Sequence, residues 1–167
     1  TAVQYAVDGI YANQGEVCNA GSRLLVDRKV VDAFTEKFER LAAERYVPGD
    51  PLDPSTSLGS LVDRDQQRRV LDYIEVGKQD GANLRFGGGV PQDFSAGAYV
   101  EPTLFTGVHN DMRIAREEIF GPVASLIPFD GAEEAVRIAN DTVFGLAAGV
   151  WTDNLTVAHK MARDIEA

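Results

Sequence analysis

The sequence predicts an α/β protein with a mainly parallel sheet and helices on both faces. Segments with apolar residues at helical spacing alternate with apolar runs too short to be helices. Leu24-Leu25-Val26 and Val123 to Phe129 are continuous apolar runs that fit buried strands, as expected when both faces of a sheet are covered. At 167 residues the chain has the length of one ordinary domain, and 1–167 is read as a single domain.

Each element follows in order. Val3, Ala6, Val7 and Ile10 place an amphipathic helix over about residues 2 to 13, a pattern already running at Thr1. Leu24-Leu25-Val26 is the first strand. Val31, Phe34, Phe38, Leu41 and Ala42 keep the 3.6-residue period from Val30 to Ala43, a second helix. Pro48, Pro51 and Pro54, with Gly49 and Gly59, make a loop reaching about Ser60. A third helix runs from Arg64 to Gln79, with Val70, Tyr73, Ile74 and Gly77 on one face. Asn83 to Phe86 is a strand closed by Gly87-Gly88-Gly89-Val90-Pro91. Tyr99 to Phe105 reads as extended, and Pro102 makes it an edge or an interrupted strand. After Val123 to Phe129, Asp130 and Glu133 are placed to form a reciprocal cap on a helix burying Ala135, Ile138 and Ala139. Leu146 to Trp151 reads as another strand, and Asp153 or Asn154 opens a last helix bearing Val157, Met161 and Ile165. Helical patterns run into both ends, so a piece of a longer polypeptide is expected.

Composition narrows the function. Hydrophobic residues make up 44% and charged residues 25%, a globular balance. A net charge of −10 without a basic stripe speaks against nucleic acid and against an anionic membrane surface as partners. No apolar run approaches the roughly 20 residues that span a bilayer. His109 and His159 have no Cys or His at metal-ligand spacing, so no metal site is read. The single cysteine, Cys18, cannot form an internal disulfide, and a free thiol suits a reducing, cytoplasmic setting.

Cys18 is either a buried filler or a nucleophile. Free cysteine is among the most buried residue types, which favours the filler. Its neighbours oppose that reading: Gly15, Asn19 and Gly21 allow close approach of backbone and ligand, and Val17 is the only apolar residue beside it.

The stretch from Tyr11 to Arg23 resembles the active-site cysteine signature of the aldehyde dehydrogenase superfamily. Three further blocks are similar to motifs of that family and stand in its order. They are Glu101-Pro102-Thr103, Glu117-Glu118-Ile119-Phe120-Gly121-Pro122-Val123, and Asn140-Asp141-Thr142-Val143-Phe144-Gly145-Leu146-Ala147-Ala148. The likeness covers nearly the whole chain. It implies that the Cys18 thiolate attacks an aldehyde to form a thiohemiacetal, that hydride leaves for NAD or NADP, and that water hydrolyses the resulting thioester. The Cys18 N–H would be one oxyanion donor. Glu118 would accept hydrogen bonds from the nicotinamide-ribose hydroxyls, and Phe120 would limit where the ring rests. The resemblance further implies a small-molecule aldehyde as substrate and a homo-oligomeric parent. In the family the general-base glutamate, the Gly-rich cofactor half and the oxyanion asparagine precede the cysteine, and oligomerisation strands follow. The chain therefore reads as the thiol-bearing catalytic domain, inactive alone.

Blander readings stand beside these. Glu118 could be a surface carboxylate before a turn, and Phe120 a core aromatic. Gly87-Gly88-Gly89 lacks phosphate-loop spacing and reads as a turn. Arg64, Arg68 and Arg69 with Asp63, Asp65 and Asp72 form a solvated helix face. Arg23 reads as structural, pairing with a carboxylate. Glu16 could raise the thiol pKa or face solvent; solvent is favoured. Two other functions stay open: a non-catalytic scaffold derived from the family, and a relative that passes the thioester to coenzyme A.

Overall fold

A computed structural model describes residues 2–94 and 96–167; the start of the first helix at Thr1 lies outside them. The elements are α1 (Ala2–Tyr11), β1 (Arg23–Asp27), α2 (Val31–Arg45), α3 (Arg64–Gln79), β2 (Asn83–Phe86), β3 (Thr103–Thr106), the single turn α4 (Arg113–Arg116), β4 (Val123–Phe129), α5 (Gly131–Asn140) and α6 (Leu155–Asp164). The four strands lie in the order β1-β4-β3-β2. β1 and β3 run parallel to β4, and β2 joins the edge antiparallel to β3.

The alternation of side chains along each strand divides the core in two. Leu24 and Val26 of β1, Leu104 of β3, and Ala124 and Leu126 of β4 point toward α1 and α2, where they meet Val7, Ile10, Tyr11 and Phe38. Phe105, Val123 and Ile127 point the other way, onto Val70 and Ile74 of α3 and Ile138 of α5. Helices thus cover both faces of a mainly parallel sheet, the arrangement that the apolar runs predict.

Local chemistry explains where the elements begin and end. Asp63 caps α3 by accepting from the Gln66 N–H at 2.8 Å. Asn154 does the same for α6 through the Val157 N–H, at 3.2 Å. The expected cap on α5 is corrected: Asp130 makes no side-chain cap bond. Its carboxylate instead pairs with Arg28 at 2.9 Å, and Glu134, not Glu133, reaches back to the Asp130 N–H at 2.7 Å.

Two strand expectations change. β3 is interior, bonded to β4 and β2, and begins directly after Pro102, so the proline interrupts the extended run without lying on an edge. Leu146 to Trp151 forms no strand among the described residues. It finds no pairing neighbour, and an unpaired strand has no ladder to hold it. Val143 and Leu146 are 87% and 63% exposed, and Trp151 stacks on Tyr5 with ring centroids 4.8 Å apart.

Candidate active site

Two loops meet at one end of the sheet. One leaves α1 and carries Cys18; the other carries Glu118 and Phe120 into β4. The first turns sharply because three successive residues, Asn13, Gln14 and Gly15, have φ of 49°, 58° and 73°. Asn tolerates this region and Gly favours it, whereas Gln does not. Gln14 is held there by its side chain, which accepts from the Gly59 N–H and donates to the Ser60 carbonyl, each at 3.3 Å. Helix α1 therefore ends at Tyr11, two residues earlier than the apolar period suggests.

The loops interlock through glycine. A Cβ on Gly15 would lie 2.2 Å from the Gly121 carbonyl oxygen, so the two main chains touch where no larger residue fits. Phe120, beside that contact, has φ of 60°. Asn13, Gln14 and Phe120 are the non-glycine residues with positive φ among those described, and all three belong to these loops. Backbone strain of this kind costs on the order of 1–3 kcal/mol per residue and persists where the surroundings enforce it.

The contact leaves a cleft of about 50 Å³ lined by Cys18, Glu118, Phe120, Ala20, Ser22 and Ile10, among others. Cys18 is exposed, which removes the buried-filler reading. Its N–H donates to no acceptor among the described residues. Phe120 is 37% exposed, so it is not a core aromatic. Glu118 is set apart from its neighbour. Glu117 takes both guanidinium bonds of Arg113, at 2.9 and 2.8 Å, and the Tyr73 hydroxyl at 2.8 Å. Arg113 and then Tyr73 hold the Glu117 carboxyl down at about 2. The Glu118 carboxylate has no such partner among the described residues and remains available at the cleft.

Glu16 is part exposed, and its carboxylate accepts from the Val62 N–H at 3.2 Å, which ties the cysteine loop to the residues before α3. Partial burial raises its pKa, the Val62 N–H opposes the rise, and Asp63 adds to it. Arg23 is structural: among the described residues it makes no direct carboxylate ion pair, though the Asp141 carboxylate is near enough to favour its charge. It donates to Asn110 Oδ1 at 2.7 Å and to the Ile138 and Ala139 carbonyls at 2.6 and 3.4 Å, closing the end of α5. In the Gly87–Gly89 turn, the Gly88 N–H is bound to Thr103 Oγ1 and the Gly89 N–H to Glu101 Oε2. Those donors are committed to the fold. His109 and His159 are exposed, and no group of three metal-ligating side chains occurs among the described residues. No helix there is long and apolar enough to cross a membrane.

The solvated-face reading of α3 holds in that Arg68 and Arg69 are both exposed, but of the two only Arg68 forms the expected helical-spacing ion pair, with Asp65. Arg69 donates to the Glu118 carbonyl at 2.8 Å, and Gln66 Nε2 donates to the carbonyls of Ile119 and Phe120 at 3.1 and 2.7 Å. Nothing in the sequence marks these two residues, because their acceptors are main-chain atoms some fifty positions away.

Comparison with known proteins agrees with the geometry. The model of the aldehyde dehydrogenase family matches residues 1–167. A betaine aldehyde dehydrogenase of Mesorhizobium japonicum is 48% identical over 169 residues, covering 99% of this chain and 34% of that protein. A crystal structure of an indole-3-acetaldehyde dehydrogenase complexed with NAD+ superposes with a TM-score of 0.95 at 54% identity, over 99% of this chain and 33% of the other. The aldehyde dehydrogenase KauB of Pseudomonas aeruginosa gives 0.96 at 55% identity, with the same coverage. The chain belongs to the aldehyde dehydrogenase family. It spans about a third of the length of these relatives.

Proposed function

We propose that this chain is the thiol-bearing part of an aldehyde dehydrogenase that oxidises a small aldehyde to a carboxylic acid with NAD or NADP. The observation that carries the reading is the meeting of an exposed thiol, a free carboxylate and a solvent-facing aromatic in one cleft between strained loops. Strain concentrated at a cleft points to function there more than to packing.

The Cys18 thiolate adds to the aldehyde carbonyl carbon, and the uncommitted Cys18 N–H donates to the oxygen as negative charge builds on it. A bound nicotinamide dinucleotide supplies the two-electron acceptor. Glu118 would hold that group by accepting from its vicinal ribose hydroxyls, a task open to a carboxylate. Phe120, fixed at φ 60°, closes one side of the space for the nicotinamide. Loss of hydride from the Cys18 thiohemiacetal to that acceptor would leave a Cys18 thioester, which water would hydrolyse to the carboxylic acid with the Cys18 thiolate as the leaving group. The full-length parent acts as a cytoplasmic homo-oligomer, and the isolated 167 residues bind no dinucleotide and turn over no aldehyde.

Assay of the full-length protein with aldehyde and nucleotide tests this reading. Aldehyde-dependent nucleotide reduction, lost in Cys18→Ala, supports it. Activity retained by Cys18→Ala contradicts the nucleophile, and the absence of any reduction by the wild type favours a scaffold. A product that is a coenzyme A ester instead of an acid assigns the acyl-transferring chemistry.

A further inference from the structure

We propose that Arg23, Asn110, Asp141 and Arg116 form a second clamp between the two site loops, away from the Gly15–Gly121 contact, and are positioning residues that fix Cys18 relative to Glu118. The inference rests on the functional reading above for what that spacing serves.

The clamp lies outside the cleft. Arg23 opens β1 where the thiol loop ends, and Arg116 closes α4 where the Glu118 loop begins. Arg23 Nη2 donates to Asn110 Oδ1 at 2.7 Å. Asn110 Nδ2 carries the connection on, donating to the main-chain oxygen of Asp141 at 2.9 Å and to its Oδ2 at 2.8 Å. The same Oδ2 accepts from Arg116 Nη1 at 3.2 Å. Each outer member is seated separately. Arg23 binds the Ile138 and Ala139 carbonyls at the C-terminal end of α5, a favourable place for a cation. Helix α4 is held by Ser125, the register partner of Arg23, whose buried hydroxyl donates to the Ile114 carbonyl at 3.2 Å.

Two joints therefore bound each loop. Cys18 lies between Gly15 and Arg23, and Glu118 lies between Arg116 and Gly121. The glycine contact joins the first stem of the thiol loop to the last stem of the other, and the Arg23 network joins the remaining two. A loop fixed at one end can swing about it, whereas one fixed at both holds its side chains in a single relation. The clamp also gives a part to the sequence block that begins at Asn140, none of which lines the cleft among the described residues. Asn140 serves another joint, donating to the Asp164 carbonyl and accepting from the Glu166 N–H. Asp141 and Arg116 are both exposed, and an exposed ion pair adds little to global stability. Their pairing serves the placement of the loops.

Hydrogen exchange of the full-length, nucleotide-free protein reads the clamp directly. In Asn110→Ala and Asp141→Ala, the amides of 16–23 and 116–121 should exchange about tenfold faster than in wild type, the scale of one or two lost hydrogen bonds. Exchange along 36–45, in α2, should not change. Single-turnover reduction of nucleotide by aldehyde should slow by about tenfold as well, because a small displacement of reacting groups is costly. Alkylation of Cys18 needs only one of the loops and should keep its wild-type rate. Arg116→Met should show both effects, and Arg116→Lys, which keeps a cation beside Asp141, should remove them. This pair also provides the reading if Asn110→Ala fails to fold.

Unchanged exchange in both segments overturns the proposal. So does faster exchange spread over the whole chain, which would make the network a matter of stability alone. Faster loop exchange with an unchanged single-turnover rate overturns the positioning role, as do equal losses of turnover and alkylation, which would place the effect on the thiol itself. A wild type that reduces no nucleotide contradicts the dehydrogenase reading instead, and the exchange pattern still decides whether the clamp holds the two loops.

Discussion

At the scale of single residues, the two adjacent glutamates show how position divides labour. Glu117 is consumed by Arg113 and Tyr73, and Glu118 is left free. Because the Glu117 carboxyl is held at about 2 in the folded chain, below its ordinary value, its contribution is present above about pH 4.5 and is lost as pH falls toward 2. Urea midpoints of wild type and Glu117→Gln should therefore differ at pH 6 and converge through that window, whereas Glu118→Gln should leave stability alone and raise the nucleotide KM. Gly15 gives a second prediction. Gly15→Ala must place a methyl against the Gly121 carbonyl at φ of 73°, so it should lose roughly 1–3 kcal/mol in denaturant titration. It should slow aldehyde turnover as well. Cys18 and Glu118 are legible in the sequence because their motifs are local. The tie from Glu16 to Val62 and the grip of Gln66 and Arg69 are not, since each depends on loops that only the fold brings together.

At the scale of elements, the helices are legible from their apolar period because each packs one face on the sheet, and α3 begins and ends where the pattern places it. What the pattern misses is set by partners from elsewhere. Helix α1 stops early because Gln14 is captured by the loop at Gly59 and Ser60. Leu146 to Trp151 has the composition of a strand and no neighbour to pair with. The α1–α2 pair carries its own polar link, in which Tyr46 donates to Asp8 at 3.0 Å beside Arg45. Burial, then the hydrogen bond to Asp8, pushes the Tyr46 hydroxyl up to about 12. The folded value lies above the unfolded one, so the stability it brings is intact below about pH 10 and disappears as pH rises toward 12. Tyr46→Phe should remove that alkaline loss, read as a flatter midpoint-against-pH curve above about pH 10.

At the scale of the molecule, the sheet seats two loops at one end, and the stretch between α5 and α6 leaves apolar side chains open. Val143, Phe144, Leu146, Trp151 and Leu155 are all exposed within one short length of chain, and clustered exposed apolar side chains favour association. Sedimentation of the isolated chain should show concentration-dependent association that Leu146→Ser and Trp151→Ser diminish; a single monomeric species at high concentration would contradict that expectation. The parallel order of the sheet is legible from its continuous apolar strands, whereas the antiparallel edge strand β2 is settled by the turn at Gly87 to Gly89 and its bonds to Glu101 and Thr103.

The proposed chemistry requires the sulfur of Cys18 to carry the substrate. The most direct measurement is rapid acid quenching of the full-length protein during turnover, followed by mass spectrometry of the peptide bearing Cys18. An acyl group of the substrate's mass on that peptide, absent from Cys18→Ser, is the predicted result. An unmodified Cys18 peptide during steady turnover, or the adduct on any other residue, would contradict it.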